Sequence, residues 1–575
     1  LNFYFAEKKA PDYHSDSGFM GSGFTEPEVL GYHLVNILIH IGSAICLYFI
    51  FQITLSAKIM GQGFRYGNEA ALLAALVWAL HPVQTNAVTY IVQRMTSMSA
   101  LFVLGSLLFY ILGRIRQGGP AGKSAYFVLS LVFGLLAMVS KENSAMLPLL
   151  ILGYEFYFLG GIRLSARNIR GLIILAAVVL MVIVIGWMYL GGNPFTEWLG
   201  GYNVRDFTLA ERLLTQTRVV IHYLSLLVLP LPSRLNLAYD FPVSTSFFSP
   251  LPTFFAIVGI AALVLSLFIT YRRDKLISFA IFWFLVNLVI ESTVIPLEII
   301  FEHRIYLPSA FAALALTLLV YRAPGSRKIN LTRLGMLCIV VLLMIFTWQR
   351  NQTWSSRESV WGDVAAKAPN LTRGHMGLYT SYKAQNRNEE ALEVLKKAVA
   401  VGPDQFKPSF NLANLYKEQK QYGQALDIVN AMLSKEHLRT APVYNLRASI
   451  YQKLNNYTKA IEDANKALAI DPKYASSMLI LGEAYFRLGN YVNAAKYYEK
   501  ARESITDTYG IYFNLGTVYY NLGNYDKAIE NYTRALDFMP GNADIHYNLG
   551  LLYGAKGMVK EMQEAMAKSK RLRGR

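Results

Sequence analysis

The chain has 575 residues, 54% of them hydrophobic and only 16% charged, with 55 Lys and Arg against 38 Asp and Glu. That length accommodates two large domains, and its two cysteines, Cys46 and Cys338, both inside apolar runs, exclude a disulfide framework or a cysteine-based metal site. The formal charge of +17 does not indicate nucleic acid, because much of the basic excess lies in short loops between apolar runs, where it sets membrane topology. Ten apolar runs follow in chain order: Gly31–Leu55, Glu69–Leu80, Met95–Gly113, Ala125–Ser140, Ser144–Gly160, Gly171–Leu190, Leu251–Tyr271, Leu276–Pro296, Ile305–Tyr321 and Leu331–Trp348. They predict an all-α polytopic membrane module over residues 1–350.

The basic loops Arg114/Arg116/Lys123, Arg163/Arg167/Arg170, Arg272/Arg273/Lys275 and Arg322/Arg327/Lys328/Arg333 are all assigned to the cytoplasmic side. Alternation then holds only if Leu209–Leu229 does not cross. Glu211, Thr215, Arg218 and His222 share one face there, so an amphipathic helix at the outer interface, or a re-entrant one, is expected. Residues 1–30 and everything after Trp348 then face outward. The chain starts at Leu1 with no signal-peptide pattern, so at least one further amino-terminal helix and its outer loop are expected upstream.

Behind the membrane module a pattern recurs about every 34 residues. Ala391, Ala425, Ala460, Ala494 and Ala528 hold one position, Tyr382, Tyr416, Tyr451, Tyr485 and Tyr519 another, and Pro403, Pro472 and Pro540 close three copies. This is the spacing of tetratricopeptide repeats, and it predicts five over residues 372–575 with a degenerate sixth as a cap, after a linker at 351–371. Asn411, Asn514 and Asn548 fall where such repeats face their groove, and an amide there can bind a peptide backbone. Four formal glycosylation sequons begin at Asn351, Asn370, Asn456 and Asn531.

Ionisable residues at the outer ends of spans mark candidate sites, because they are costly in a membrane unless paired or hydrated. Four clusters qualify: His81 through Arg94; Lys141 with Glu142; Arg234, Tyr239 and Asp240; and Glu298, Glu302, His303, Arg304 and Tyr306. Arginine and histidine suit a phosphate held in the outer leaflet by a lipid tail, and a neighbouring carboxylate suits activation of an acceptor hydroxyl.

Gly31-Tyr32-His33-Leu34-Val35-Asn36 with His40, His81-Pro82-Val83-Gln84-Thr85, Gln93-Arg94-Met95-Thr96-Ser97, Ser140-Lys141-Glu142 and Glu302-His303-Arg304-Ile305-Tyr306-Leu307-Pro308-Ser309 occur in that order. With the repeats, this set resembles the transmembrane and tetratricopeptide-repeat proteins, GT-C glycosyltransferases related to protein O-mannosyltransferases. The wording of 93–97 is closest to bacterial members. The resemblance implies a GT-C-like helical module followed by a tetratricopeptide superhelix. It also implies sugar transfer from a polyprenyl-phosphate donor to Ser or Thr of proteins held by the repeats, in the periplasm of a bacterial inner-membrane protein or, alternatively, the lumen of the endoplasmic reticulum. His81, Arg94, Lys141, Glu142, Glu302 and Arg304 carry over as donor and acceptor contacts, with Arg234, Asp240, His303 and Tyr306 beside them. The family's catalytic acidic pair would precede Leu1; Asp12 and Asp16 do not match its motif, and Asn86 stands where many relatives carry Glu. No cofactor is fixed, a divalent metal is open, and nucleic acid is not expected. A non-catalytic repeat scaffold for an envelope or pilus complex and a lipid-linked oligosaccharide ligase remain as alternatives.

Overall fold

The computed structural model describes residues 26–56, 59, 64–117, 120–160, 200–322, 329–505 and 509–574. The expected span at 171–190, the loop 163–170, Arg327, Lys328, Asp12 and Asp16 lie outside them. The described residues are helical, with no strand among them, and the chain forms two compact units, Leu1–Pro369 and Asn370–Arg575.

In the first unit the described helices are α1 (Glu26–Thr54), α2 (Gly67–Ala79), α3 (Thr85–Thr89), α4 (Arg94–Ile115), α5 (Pro120–Ser140), α6 (Leu147–Phe158), α7 (Leu209–Val228), α8 (Pro252–Arg273), α9 (Lys275–Leu288), α10 (Ser309–Arg322), α11 (Ile329–Thr353) and α12 (Arg357–Lys367). Five helical stretches, Gly31–Thr54, Ile91–Ile115, Gly122–Ser140, Pro252–Arg273 and Ile329–Thr353, are long and apolar enough to cross a membrane. Gly67–Ala79 and Pro82–Thr89 would make a sixth, bent by 48°. The bend has a local cause. Pro82 cannot continue α2, and His81 Nδ1 accepts the Val83 N–H to cap a new 3₁₀ turn.

One end of the bundle is tied by charge. Arg114 pairs with Glu155, Arg322 with Asp274, and Arg333 with Glu69, which also accepts from the Tyr321 hydroxyl. Arg114, Arg322 and Arg333 come from the basic loops, so those described loops gather at a single end, as alternation of the helices requires.

Three helices are shorter than the apolar runs that predicted them. The expected 144–160, 276–296 and 305–321 become α6, α9 and α10, of 12, 14 and 14 residues. At about 1.5 Å per residue these cover roughly 18–21 Å, against a hydrocarbon core of about 30 Å. For α6 the helix starts late, after a 3₁₀ turn at Glu142–Met146; for α9 and α10 the missing length is a non-helical strap, residues 289–308, carrying only one 3₁₀ turn at Glu302–Ile305. Irregular backbone survives at such depth only where protein groups satisfy it, and here side chains do so. Arg212 donates Nε to Thr293 O and Nη2 to Glu291 O, both at 2.9 Å, and Nη1 to Leu297 O. Gln216 donates to Ile299 O, Tyr223 bonds both the N–H and C=O of Phe301, and the indoles of Trp78 and Trp283 donate to Tyr306 O and Leu307 O.

Helix α7 supplies three of these groups, which corrects the expectation of a polar stripe opposite an apolar one. Arg212, Thr215 and Gln216 are buried beside Val219, Tyr223 and Leu226. The helix buries polar side chains because the strap offers unpaired carbonyls. Residues 351–371 also hold structure: α11 runs to Thr353, and α12 is fixed to the same unit by Arg350–Asp363 and by Lys367, which donates to Pro232 O and Leu235 O.

The second unit is six helical hairpins: α13/α14 (Thr372–Ala384, Asn388–Val401), α15/α16 (Phe406–Glu418, Tyr422–Ser434), α17/α18 (Ala441–Lys453, Tyr457–Ile470), α19/α20 (Ala475–Arg487, Tyr491–Ser504), α21/α22 (Tyr509–Asn521, Tyr525–Phe538) and α23/α24 (Ala543–Ala555, Val559–Arg573). The five repeat alanines are all 0% exposed, since only a methyl fits between packed helices. A Cβ on Gly482 or Gly516 would lie 2.8 Å from the ring of Tyr498 or Tyr532; the sixth hairpin keeps the contact as Gly550 against Met566. The turn inside each hairpin carries one left-handed residue: Asn386, Lys420, Asn455, Gly489, Gly523 or Gly557. Asn531, a formal sequon, is buried and donates to Lys527 O, so the folded repeat does not present it for modification.

Gly523→Ala forces an L side chain into φ 72° and is expected to destabilise the repeats by about 1 kcal/mol. A lower thermal midpoint in far-ultraviolet circular dichroism checks this; an unchanged midpoint contradicts it.

Candidate functional site

The four predicted clusters converge on the strap. Ser309, just beyond it, accepts from Trp78 Nε1 and from Gln84 Nε2, both at 3.0 Å, and so joins the His81–Arg94 segment to α10. Tyr306 bonds His40 Nδ1 at 2.7 Å, while His40 Nε2 meets Ala79 O at 2.9 Å. A carbonyl can only accept, so Nε2 carries the proton and the Tyr306 hydroxyl donates to Nδ1. Lys141 pairs with Glu291, which is buried although it sits within an apolar run. The 3₁₀ turn Glu302–Ile305 packs against α3 and the 82–84 turn.

Positive charge dominates one side of the strap. Arg212 is fully buried, Arg304 nearly so, and neither has a carboxylate partner among the described ion pairs. Arg304 donates to Ile299 O and lies 5.4 Å over the Phe301 ring. Burial, and then the neighbouring charge of Arg304, pushes the Arg212 guanidinium down to about 10. It remains charged at neutral pH, so two like charges sit close together out of water. His303, stacked on Phe301, is held neutral: burial first, then Lys141 and Arg304, lower it well below the ordinary imidazole value.

The other side is a carboxylate cluster. Glu302 Oε1 accepts from Asn236 N–H and from the Tyr239 hydroxyl at 2.6 Å, while Oε2 has no protein partner among the described residues. Burial raises its pKa, opposed by the charge of Arg350 and the Tyr239 bond. Arg350, Asp363 and Lys367 link this cluster to α12.

Several predicted residues have structural work instead. Both ring nitrogens of His81 are used, Nδ1 by the cap and Nε2 by Leu227 O at 3.2 Å, so it is not free to contact a phosphate. Arg94 clamps α1 by donating to Asn36 Oδ1 at 2.9 Å and covering the Tyr32 ring at 4.8 Å. Arg234 caps the end of α7, donating to Ser225 and to Leu229 O. Glu142 and Asp240 are exposed, and Glu298 pairs with Arg205. Lys141, Glu302, His303, Arg304 and Tyr306 are the predicted residues that meet around the strap. Sequence reasoning missed Arg212, Glu291, Gln84 as a strap contact, and Trp78. Glu291 did carry a signal, a carboxylate inside a predicted span. No three His, Cys, Asp or Glu side chains gather with metal-ligand geometry among the described residues, so none is assigned to a divalent ion.

In the repeats, Asn514 borders a concave cavity of about 640 Å³ together with Lys453, Glu483, Arg487 and Tyr498. Asn548 donates to the Tyr532 hydroxyl, and Asn411 is half-buried. Asn445, one repeat after Asn411, was missed; it accepts from Ser477.

A helical membrane module followed by a tetratricopeptide-repeat solenoid is the class these features define. Tetratricopeptide-repeat family models match residues 382–450, 445–507 and 516–557. The chain is similar to proteins named protein O-mannosyl-transferases. It is 22% identical to Protein O-mannosyl-transferase Tmtc3 of Drosophila melanogaster over 458 residues, 69% of this chain and 49% of the fly protein. Identity to Protein O-mannosyl-transferase TMTC1 of Homo sapiens is 24% over 454 residues, 67% of this chain and 47% of that protein. With human TMTC4 it is 32% over 130 residues, 22% of this chain and 17% of the relative. The chain thus spans about half the length, or less, of these curated relatives. The solved tetratricopeptide-repeat protein YrrB, described as having an unusual peptide-binding site, is 24% identical, covering 32% of this chain and 93% of that one with a TM-score of 0.30.

The neutral His303 gives a pH prediction. Its folded pKa lies well below 6.5, so below pH 6.5 the unfolded chain binds a proton that the folded one refuses. Stability should therefore fall as pH drops through 6.5, by up to about 1.4 kcal/mol per pH unit from this residue. His303→Asn should flatten that acid limb in thermal melts between pH 7 and 5; an unchanged slope contradicts the assignment.

Proposed function

We propose that the chain is a membrane glycosyltransferase that transfers a sugar, mannose by analogy with its relatives' names, from a polyprenyl-phosphate donor to Ser or Thr hydroxyls of proteins recruited by the repeats. The observation carrying this reading is the pair of buried cations Arg212 and Arg304 with the partly buried Lys141 near by, opposed among the described ion pairs by the one carboxylate Glu291. Two arginines that repel each other out of water are costly unless an anion joins them, and a lipid-borne phosphate would be such an anion at membrane depth. Arg304 and Lys141 would hold the phosphate. Arg212 would position the strap that carries them. Neutral His303 could accept or donate a hydrogen bond without adding charge. The catalytic base is not assigned among the described residues.

The end of helix α11 is tied to Leu80 O through Thr347 and to Asp363 through Arg350, whose charge acts on Glu302 of the strap. The reading has the repeats act in the periplasm of a bacterium or in the lumen of a eukaryote. Asn411, Asn445, Asn514 and Asn548 would line the acceptor groove. The scaffold alternative requires no affinity for lipid phosphate and no transfer.

The test is reconstitution in liposomes with polyprenyl-phosphate mannose and a secreted acceptor protein. Arg304→Ala and Lys141→Ala should each lower transfer by about 100-fold or more while circular dichroism stays native. Transfer that survives both substitutions contradicts the reading. An inert wild type, supplied with its donor and acceptor, favours the scaffold.

A further inference from the structure

The strap has a second polar group that the cationic cluster does not use. Asn86 on α3 is 1% exposed, yet neither Nδ2 nor Oδ1 meets a protein partner among the described residues. Gln84, 2% exposed, spends Nε2 on Ser309, but its Oε1 is likewise unpartnered, as is Nδ1 of buried His303. These side chains lie on elements that touch, because both α3 and the 82–84 turn pack against the 302–305 turn. Buried amides and imidazoles are nearly always hydrogen-bonded, and an isolated exception demands an explanation. Several on adjoining elements, beside the cations Lys141 and Arg304 that act on His303, demand a common one.

The chemistry of the set narrows the ligand. Oδ1 and Oε1 only accept, Nδ2 only donates, and a neutral imidazole nitrogen does one or the other. A phosphate oxygen only accepts at neutral pH and would leave both amide carbonyls unsatisfied. A sugar hydroxyl donates and accepts at once, and a ring bearing several in sequence can meet both kinds of atom. None of the three side chains is charged, so a neutral polyol is not penalised there.

We propose that Asn86, with Gln84 and His303, forms the sugar-recognising half of the donor site, distinct from the Lys141–Arg304 half that takes the phosphate. This rests on the glycosyltransferase reading and adds to it a residue that discriminates the glycosylated from the bare lipid. Asn86 is a specificity residue here; no proton or group is transferred to it.

The test compares binding of two probes, polyprenyl-phosphate mannose and polyprenyl phosphate, to the full chain in nanodiscs. Wild type should bind the mannosylated lipid at least tenfold more tightly. Asn86→Ala should remove most of that ratio and leave affinity for bare polyprenyl phosphate unchanged, whereas Arg304→Ala should lose both lipids. Asn86→Leu, close in size and apolar, guards against a folding artefact: its thermal midpoint should equal or exceed that of wild type while the ratio is lost. If the ratio persists in folded Asn86→Ala and Asn86→Leu, or if the leucine variant melts well below wild type because the amide is structural, the inference is overturned and the phosphate reading stands. Wild type that binds neither lipid removes the phosphate reading, and this inference with it.

Discussion

Arg212 holds the first unit's architecture together. The short helices α9 and α10 leave the strap 289–308 as non-helical backbone among apolar helices, and its carbonyls need donors that cannot come from a helix ladder. A guanidinium offers five N–H groups in a fixed fork, and Arg212 uses all three of its nitrogens on the strap carbonyls of Glu291, Thr293 and Leu297. Gln216, Tyr223, Trp78 and Trp283 complete the set. Because these donors come from side chains of neighbouring helices, the bundle takes part in dictating the strap's shape, beside the strap's own bonds such as Arg304 to Ile299 O. The 3₁₀ turn that presents Glu302, His303 and Arg304 inherits that rigidity.

Rigidity and charge are coupled here. Placing Arg212 against backbone carbonyls satisfies its hydrogen bonds but not its charge, and Arg304 adds a second cation nearby. The fold thus stores an electrostatic imbalance at the strap, relieved in part by Glu291 through Lys141. On the opposite side Glu302 is kept close to Arg350 and to the α12 contacts of Asp363 and Lys367. The strap therefore carries Arg304 beside the cation Arg212 and Glu302 beside the cation Arg350.

Legibility in the sequence followed the kind of interaction involved. The repeats were readable because their packing is local and periodic: an alanine every 34 or 35 residues is fully enclosed by its own hairpin and the next. The long spans were readable from apolar length. The strap was not, because residues such as Val294, Ile295, Leu297, Ile299 and Ile300 are as apolar as a helix would need, and what makes them irregular is donors distant in the chain. His81 and Arg94 looked like ligands because polar residues near a membrane stand out, yet one caps a proline break and the other clamps a neighbouring helix. Arg212 was passed over inside a helix read as amphipathic, since its partners are carbonyls and carbonyls leave no trace in sequence. Asn86 drew notice as a departure from relatives, but its unmet hydrogen bonds could be seen only with the surrounding atoms in place.

The most direct measurement of the central claim is amide hydrogen exchange across residues 289–308 in the solubilised protein, for wild type and Arg212→Ala. Side-chain anchoring predicts that the wild-type strap exchanges slowly, unlike the exposed loop at 245–249, gains further protection when polyprenyl phosphate is added, and loses both protections in Arg212→Ala. A wild-type strap that exchanges as fast as that loop, or that is equally protected without Arg212, would contradict the account.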